Sequence, residues 1–491
     1  MKRIAEAILS DGTKLPYVIT DNPPSGSMKH TFFTPDKKFA VQFFNDSEQA
    51  NNPDLHRRME YIIGKYNPTL SEKNGGAKGN TEESADYFLK RFCWPVATVK
   101  YPEFGIVCPA YPENFFFDEK SSEFINLKGK DKRSNWFTSK NRKYLRDEEC
   151  GNFRSMLKMS ILLARSVRRL HQAGLAHADL SCNNVLIDPK TGECVVIDID
   201  SLVVPGIFPP EVAGTRGYIA PEVLATSVFP VGDSRRKFPS VYTDMHALAV
   251  LIYEYLLLRH PLIGPKIYSK NSAEEDDFLA MGPMATFIEN PFDKSNRPDE
   301  LGVTIKDLGE PLEKLFIQAF VNGLHNPEER PSAMEWENAL SKTWDMLHKC
   351  ENPDCLAEWF ILHDTENPVC PFCRHSARRE SIVRLHLKSS LKGKNGIWTD
   401  YRTVNLYDKM KLYKWHVLSG VFPNEKADCT PVAEIYTTNQ QWFFVNKSLE
   451  GLTSPEGLFI PKGFKFELKD NSFFRACNDE NSLLISVTKG K

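Results

Sequence analysis

The sequence has no long apolar run. The longest, ALAVLIYEYLLL from Ala247 to Leu258, covers twelve residues and includes Glu254, against the roughly 20 that a spanning helix needs. The opening MKRIAEAILSDGTKLP reaches Asp11 after only a short apolar stretch, so no signal peptide is expected. An excess of either charge is missing too. Net charge is −2 and the pI near 6.7, which gives no general pull toward nucleic acid or an anionic membrane. No internal repeat is present. A disulfide framework is also absent: seven of the eleven cysteines are scattered and four form two close pairs, the pattern of reduced thiols plus a metal site. These absences predict a cytoplasmic protein with no nucleic-acid or membrane partner. With 491 residues, 41% of them hydrophobic, the chain is long enough for two to four domains with ordinary cores.

Residues 1 to about 110 read as strand-rich. FFTPDKKFAVQFF is two β-runs around a Pro-Asp-Lys-Lys turn, and WPVATV and FGIVCPAY read as two further strands. PDLHRRMEYIIGKY has apolar residues at helical spacing, and Ser71–Asp86 reads as a polar, glycine-containing loop. The period then changes. NFRSMLKMSILLARSVRRLHQAG is a long amphipathic helix stopped by Gly174, VLIDPKTGECVVID is a hairpin, and Asp244–Leu258 and Leu312–Trp344 read as helical. The charged insertion Lys128–Glu149 reads as a solvated loop, with a substrate-docking patch as the alternative. Beyond about Arg378 the chain is strand-like.

Chemistry concentrates in GLAHADLSCNNVLID (Gly174–Asp188). Phosphoryl transfer needs an in-line hydroxyl, Mg²⁺ on the phosphates, and fixed acceptors and donors. Asp179 can accept the proton of an attacking hydroxyl, Asn184 can reach a metal from the same loop, and VVIDID brings two further carboxylates, Asp198 and Asp200. GTRGYIAPEV, TDMHALAVLIYEYLL and NPEERPSAMEW follow in that order. The ordered set resembles the eukaryotic-like protein kinases over residues 1 to about 348. The resemblance implies Asp179 as catalytic base, Asn184 and Asp198 as Mg²⁺ ligands, a Glu222–Arg330 pair holding the helical part, and Asp244 bracing the catalytic loop. It also implies ATP, Mg²⁺ and a protein substrate. Asp200 in place of Asp198 as the metal ligand stays open.

The departures carry information. Ala178 replaces an arginine that usually pairs with an activation-loop phosphate, so no such switch is expected. Ser181 replaces a lysine that would steady the γ-phosphate. Ile199 and Asp200 stand where the family has Phe and Gly. FAVQFF offers Gln42 where the family carries the lysine that grips the α- and β-phosphates, and glutamine has no charge to do that work. Upstream, PPSGSMKHTFF resembles a shortened Gly-rich loop, with Gly26 and Ser27 at the turn. Lys29 and Thr31 share one face of the next strand. A lysine there can enter the same cleft, as in the with-no-lysine kinases; a surface Lys29 is the alternative. Glu60, eighteen residues after Gln42, is the candidate helix partner for the lysine, or else a solvated glutamate.

CENPDCLAEWFILHDTENPVCPFC places Cys350, Cys355, Cys370 and Cys373 as C-x₄-C, a fourteen-residue spacer, then C-x₂-C. That fits a zinc ribbon with a closed, structural four-thiolate site; His348, His363 and His375 are expected outside the ligand set. The last segment reads as a β-sandwich that faintly resembles a forkhead-associated domain, without that family's phosphothreonine-binding set. Together the fold expected is α+β: kinase N-lobe 1–110, C-lobe 111–348, zinc ribbon 349–377 and β-sandwich-like module 378–491. That order resembles the Ser/Thr kinase of bacterial phosphorylation triads. The resemblance implies a von Willebrand A protein and a metal-dependent protein phosphatase as partners, in stress-linked phosphorylation. Two other readings stay beside it. One is a pseudokinase scaffold that binds nucleotide and presents the C-terminal domains. The other is a small-molecule phosphotransferase, against which GTRGYIAPE argues.

Overall fold

The computed structural model describes residues 3–24, 29–204, 214–390 and 397–490, apart from the side chains of Gln49 and Ser201. Chain packing divides it into two compact units. One comprises Met1–Cys150, Leu162–Arg297 and Gln318–Met334, the other Gly151–Ile161, Pro298–Ile317 and Glu335–Lys491.

The first unit opens with six strands, β1 (Arg3–Leu9), β2 (Lys14–Ile19), β3 (Lys29–Phe33), β4 (Phe39–Phe44), β5 (Ala97–Tyr101) and β6 (Gly105–Pro109). They close into an antiparallel barrel in the order β1-β2-β3-β4-β6-β5. Alternation decides which side chains fill it: Val41 and Phe43 join Ala7, Leu9, Tyr17, Val99 and Val107 in the core, so Gln42 between them points the other way. Helix α1 (Pro53–Ile63) starts at an Asn52 cap and buries Leu55, Arg58, Met59 and Ile62 as one stripe. The expected loop 71–86 ends early. Thr81 caps helix α2 (Glu82–Leu89) through its side chain, and two glutamates in the first turn suit the positive helix end.

The helical part follows. Helix α3 (Phe153–Gln172) ends before Gly174, whose φ of +75° supplies the left-handed stop. Strands β7 (Val185–Asp188) and β8 (Glu193–Val196) pair as the expected hairpin. Helix α4 (Val241–Leu257) carries a Ser240–Thr243 capping box and is buried almost all round, as a central helix must be.

The insertion Lys128–Glu149 is not a solvated loop. Phe137 is fully buried and packs on Phe117. Lys132, also buried, reaches Glu149 at 3.2 Å and Asp188 of β7 at 3.7 Å. The apolar Trp136, Phe137 and Leu145 among the charges pull the segment into the core, and the buried lysine is tolerated because it is paired.

In the second unit, helix α5 (Ala333–Asp345, from Glu335 on) precedes a small hairpin of β9 (Leu347–Lys349) and β10 (Trp359–Ile361). Eight more strands follow: β11 (Val383–Ser390), β12 (Trp398–Asn405), β13 (Lys411–Leu412), β14 (Ala433–Thr438), β15 (Gln441–Asn446), β16 (Lys465–Glu467), β17 (Phe473–Arg475) and β18 (Leu484–Lys489). They make two antiparallel sheets, ordered β12-β11-β18-β17 and β13-β14-β15-β16. One apolar core joins both, with Leu385, Leu387, Val404 and Ile485 from the first and Ile435, Phe444 and Phe466 from the second. The fold is thus α+β, with a strand-rich and then helix-rich first unit and a largely β second unit. No helix among the described residues is long and apolar enough to cross a membrane.

Candidate active site and thiol cluster

Strands β3 and β4 set the roof of the cleft. Their register pairs Thr31 with Gln42 and Lys29 with Phe44, so Lys29, Thr31 and Gln42 lie on the face turned away from the barrel core. Gln42 donates to Thr31 Oγ1 at 3.4 Å and accepts from the Cys108 thiol at 3.8 Å. Lys29 is not a surface lysine: its side chain is 11% exposed, and Nζ bonds Asp198 Oδ1 at 3.1 Å and also Asp200 Oδ1. Gly26 and Ser27, expected at the turn before it, lie outside the described residues.

The loop after Gly174 forms the floor. Asp244 on α4 accepts from the backbone N–H groups of His177 (2.7 Å) and Ala178 (3.2 Å) and contacts His171 Nε2 at 3.2 Å. That clamp holds Ala178 at φ +68°, a conformation a β-carbon disfavours. Asp179 follows directly. Its Oδ1 accepts from the Thr215 hydroxyl at 2.7 Å, and its Oδ2 and carbonyl accept from Asn184 Nδ2 at 2.9 and 2.8 Å. Thr215 escaped the sequence reading, although it lies inside the quoted GTRGYIAPEV. Glu222 and Arg330 form the expected pair, bidentate at 2.9 and 2.6 Å.

Asp198 sits in the left-handed region, φ +61° and ψ +47°, where aspartate is among the few tolerated side chains. The next residues make one 3₁₀ turn, Ile199–Ser201. Ile199 is buried and Asp200 returns to the cleft. Burial opposes ionisation of Asp198, but Lys29 outweighs it and holds the carboxyl below its ordinary value. Burial pushes Asp200 up, and the charge of Asp198 adds to it against the pull of Lys29. Burial disfavours the Lys29 cation, yet Asp200 and Asp198 together raise it above an ordinary lysine.

Two departures are now legible. Ala178 packs with Ala176 and Val203, with Val241 against them; the place of a phosphate-pairing arginine is an apolar contact. Ser181 is fully buried, its Oγ accepting from the Asn183 N–H at 3.3 Å, so it offers the cleft no cation. Glu60 is exposed on α1, and the carboxylates bonded to Lys29 are Asp198 and Asp200 instead.

Residues 134–344 match the model of the protein kinase domain. That stretch is kinase-like. Curated relatives of this domain include the Anti-Muellerian hormone type-2 receptors of Oryctolagus cuniculus (33% identical over 137 residues) and Homo sapiens (32% over 137), each aligned over 23% of this chain and 23% of the receptor. Serine/threonine-protein kinase RAD53 of Saccharomyces cerevisiae is 29% identical over 113 residues, 22% of this chain and 14% of that one. The chain thus spans a quarter or less of these relatives. A solved structure of a Toxoplasma gondii specific rhoptry antigen kinase domain aligns at 15% identity with a TM-score of 0.41, over 70% of this chain and 86% of that chain.

The second centre is a thiol cluster. The Sγ atoms of Cys350, Cys355, Cys370 and Cys373 lie within 4.8 Å of one another, with Cys350–Cys373 at 3.6 Å and Cys355–Cys370 at 3.9 Å. Zn–S bonds of about 2.3 Å in a tetrahedron put sulfurs about 3.8 Å apart, so the donor set fits a zinc ion. Each pair sits on a tight turn, closed by Glu358 and Arg374 in the left-handed conformation. Four thiols leave no open position, which suits a structural metal. His348 is buried against Phe360, and His363 and His375 are exposed.

Proposed function

We propose that the kinase domain binds Mg-ATP and transfers the γ-phosphoryl group to a Ser or Thr hydroxyl of a protein, with a phosphate-binding lysine displaced from β4 to β3. One observation carries this reading: Lys29 enters the cleft beside Asp198 on the face that Gln42 shares. In it Lys29 grips the α- and β-phosphates, with Gln42 beside it as a neutral neighbour. Asp179 takes the proton of the incoming hydroxyl while Thr215 fixes its carboxylate. Asn184 and Asp198 would hold Mg²⁺, which supplies charge neutralisation on the phosphates. Glu60 has no part in it. Zinc holds the cysteine cluster together. The divisions 1–110, 111–348, 349–377 and 378–491 are proposed as the two kinase lobes, the ribbon and the sandwich. The likeness to the bacterial triad kinases supports a cytoplasmic setting with a von Willebrand A protein and a metal-dependent phosphatase as partners.

A second reading is a nucleotide-binding scaffold without transfer, favoured by Gln42 and by the buried Ser181, both neutral where the family has cations. Purified protein with γ-labelled ATP and Mg²⁺ separates the two. The kinase reading expects label on protein from the wild type and none from Asp179→Asn. Tight ATP binding without label on any protein supports the scaffold, and label that persists in Asp179→Asn removes Asp179 from its role.

A further inference from the structure

The lysine of this cleft has moved, and the residue that holds it has moved as well. Helix α1 offers no buried carboxylate: its acids, Asp54 and Glu60, are both exposed, and its buried stripe is Leu55, Arg58, Met59 and Ile62. Lys29 instead bonds two acids that lie two residues apart on the turn after β8. They are not equivalent. The Asp198 side chain is 40% exposed, whereas that of Asp200 is 11% exposed, as closed as Lys29 itself. A metal shared with nucleotide phosphates needs a carboxylate that opens on the cleft, which Asp198 provides. Asp200 faces the ammonium group. The left-handed backbone at Asp198 and the single 3₁₀ turn after it aim Asp200 there, and the family's glycine at this place would bring no side chain at all.

We infer that Asp200 is a positioning residue: it anchors Lys29 for the nucleotide phosphates in place of a helix glutamate, and it is not a metal ligand. The inference rests on the nucleotide-binding reading above. A buried carboxylate–ammonium pair fixes where the lysine head sits, and removing Asp200 leaves Lys29 only the more exposed Asp198. An anchor for the phosphate cation matters whether or not metal is present. A metal ligand matters only when it is.

The experiment is ADP binding by calorimetry on the full chain, once in EDTA and once with Mg²⁺. Asp200→Asn is expected to weaken ADP by about tenfold or more in both buffers, the scale of a charged hydrogen bond, and Asp198→Asn chiefly in Mg²⁺. In the Lys29→Met background Asp200→Asn should cost nothing further, and Asp200→Glu should recover part of the affinity in both buffers. If Asp200→Asn alone does not fold, Lys29→Met/Asp200→Asn should, because the buried ammonium group is then gone as well and Asp198, 40% exposed, remains open to water. Weakening by Asp200→Asn only in Mg²⁺ makes Asp200 a metal ligand and overturns the inference. So does an undiminished effect of Asp200→Asn in the Lys29→Met background, or a double variant that stays unfolded. A wild type that binds no ADP in either buffer overturns the functional reading itself, a separate result.

Discussion

The cleft and the thiol cluster are built in opposite ways. The cluster takes four identical donors from one short stretch, Cys350 to Cys373, where each knuckle turn delivers its own pair. The cleft brings together Lys29 and Asp198, 169 residues apart in sequence, with Asp179, Asn184 and Thr215 from other segments. In the cluster each position is tied to its role, because a missing thiolate leaves the tetrahedron open. In the cleft the role belongs to a point in space. A cation on β3 can reach what a cation on β4 would reach, since the two strands turn the same face to the cleft. A locally encoded site tolerates no substitution of its donors, whereas a spatially assembled one tolerates changes of address.

The largest expected effect tests the rigid side of that contrast. Wild-type protein should carry one zinc per chain by elemental analysis. Cys370→Ser should carry none and lose several kcal/mol of stability in the second unit, on the order of a structural zinc site's contribution. Retention of full zinc by the variant would show that the fourth thiol is dispensable. The frame of the kinase part comes next. Arg330, buried, bonds Glu222 twice and also the carbonyl of Tyr242. Arg330→Ala should cost about 3 kcal/mol in denaturant unfolding, because it takes a buried donor from the partly exposed Glu222 carboxylate and from the carbonyls of Tyr242, Gly323 and Leu324.

Much of this was open to sequence reasoning, and what was not has physical causes. The H-x-D-x-x-x-x-N loop, the hairpin after it, Gly174 and the cysteine spacing are local patterns with strict periods. Strand alternation placed Lys29 and Thr31 on one face but did not choose between the cleft and the surface for it. Glu60 did not follow from its distance to Gln42. Its place next to Met59, off the Leu55–Arg58–Met59–Ile62 stripe, was the sign of an exposed position. Helix α2 hid because its cap and first turn are all polar. The insertion 128–149 hid because composition counts charges without seeing that Lys132 and Glu149 pair in the interior. The direction of Asp200 was not legible at all, since it depends on a left-handed backbone two residues earlier, at Asp198.

A smaller effect sharpens the contrast through pH. Burial pushes the Glu254 carboxyl on α4 up to about 7, against the hydrogen bond donated by Tyr218 at 2.6 Å. A carboxyl raised on folding stabilises the fold fully below its unfolded pKa near 4.5, and that contribution is lost as pH rises through about 7. Glu254→Gln should therefore remove a decline of about 2–3 kcal/mol between pH 5 and pH 9, read from urea unfolding at the two pH values. An unchanged decline in the variant would place its source elsewhere.

The central claim is that the phosphate-binding cation has changed strands without leaving the cleft. Nucleotide binding by four proteins tests it most directly: wild type, Lys29→Met, Gln42→Ala and Lys29→Met/Gln42→Lys. The account predicts a loss of about tenfold or more for Lys29→Met, little change for Gln42→Ala, and recovery when a lysine is returned to β4. Binding by Lys29→Met at the wild-type level would contradict it.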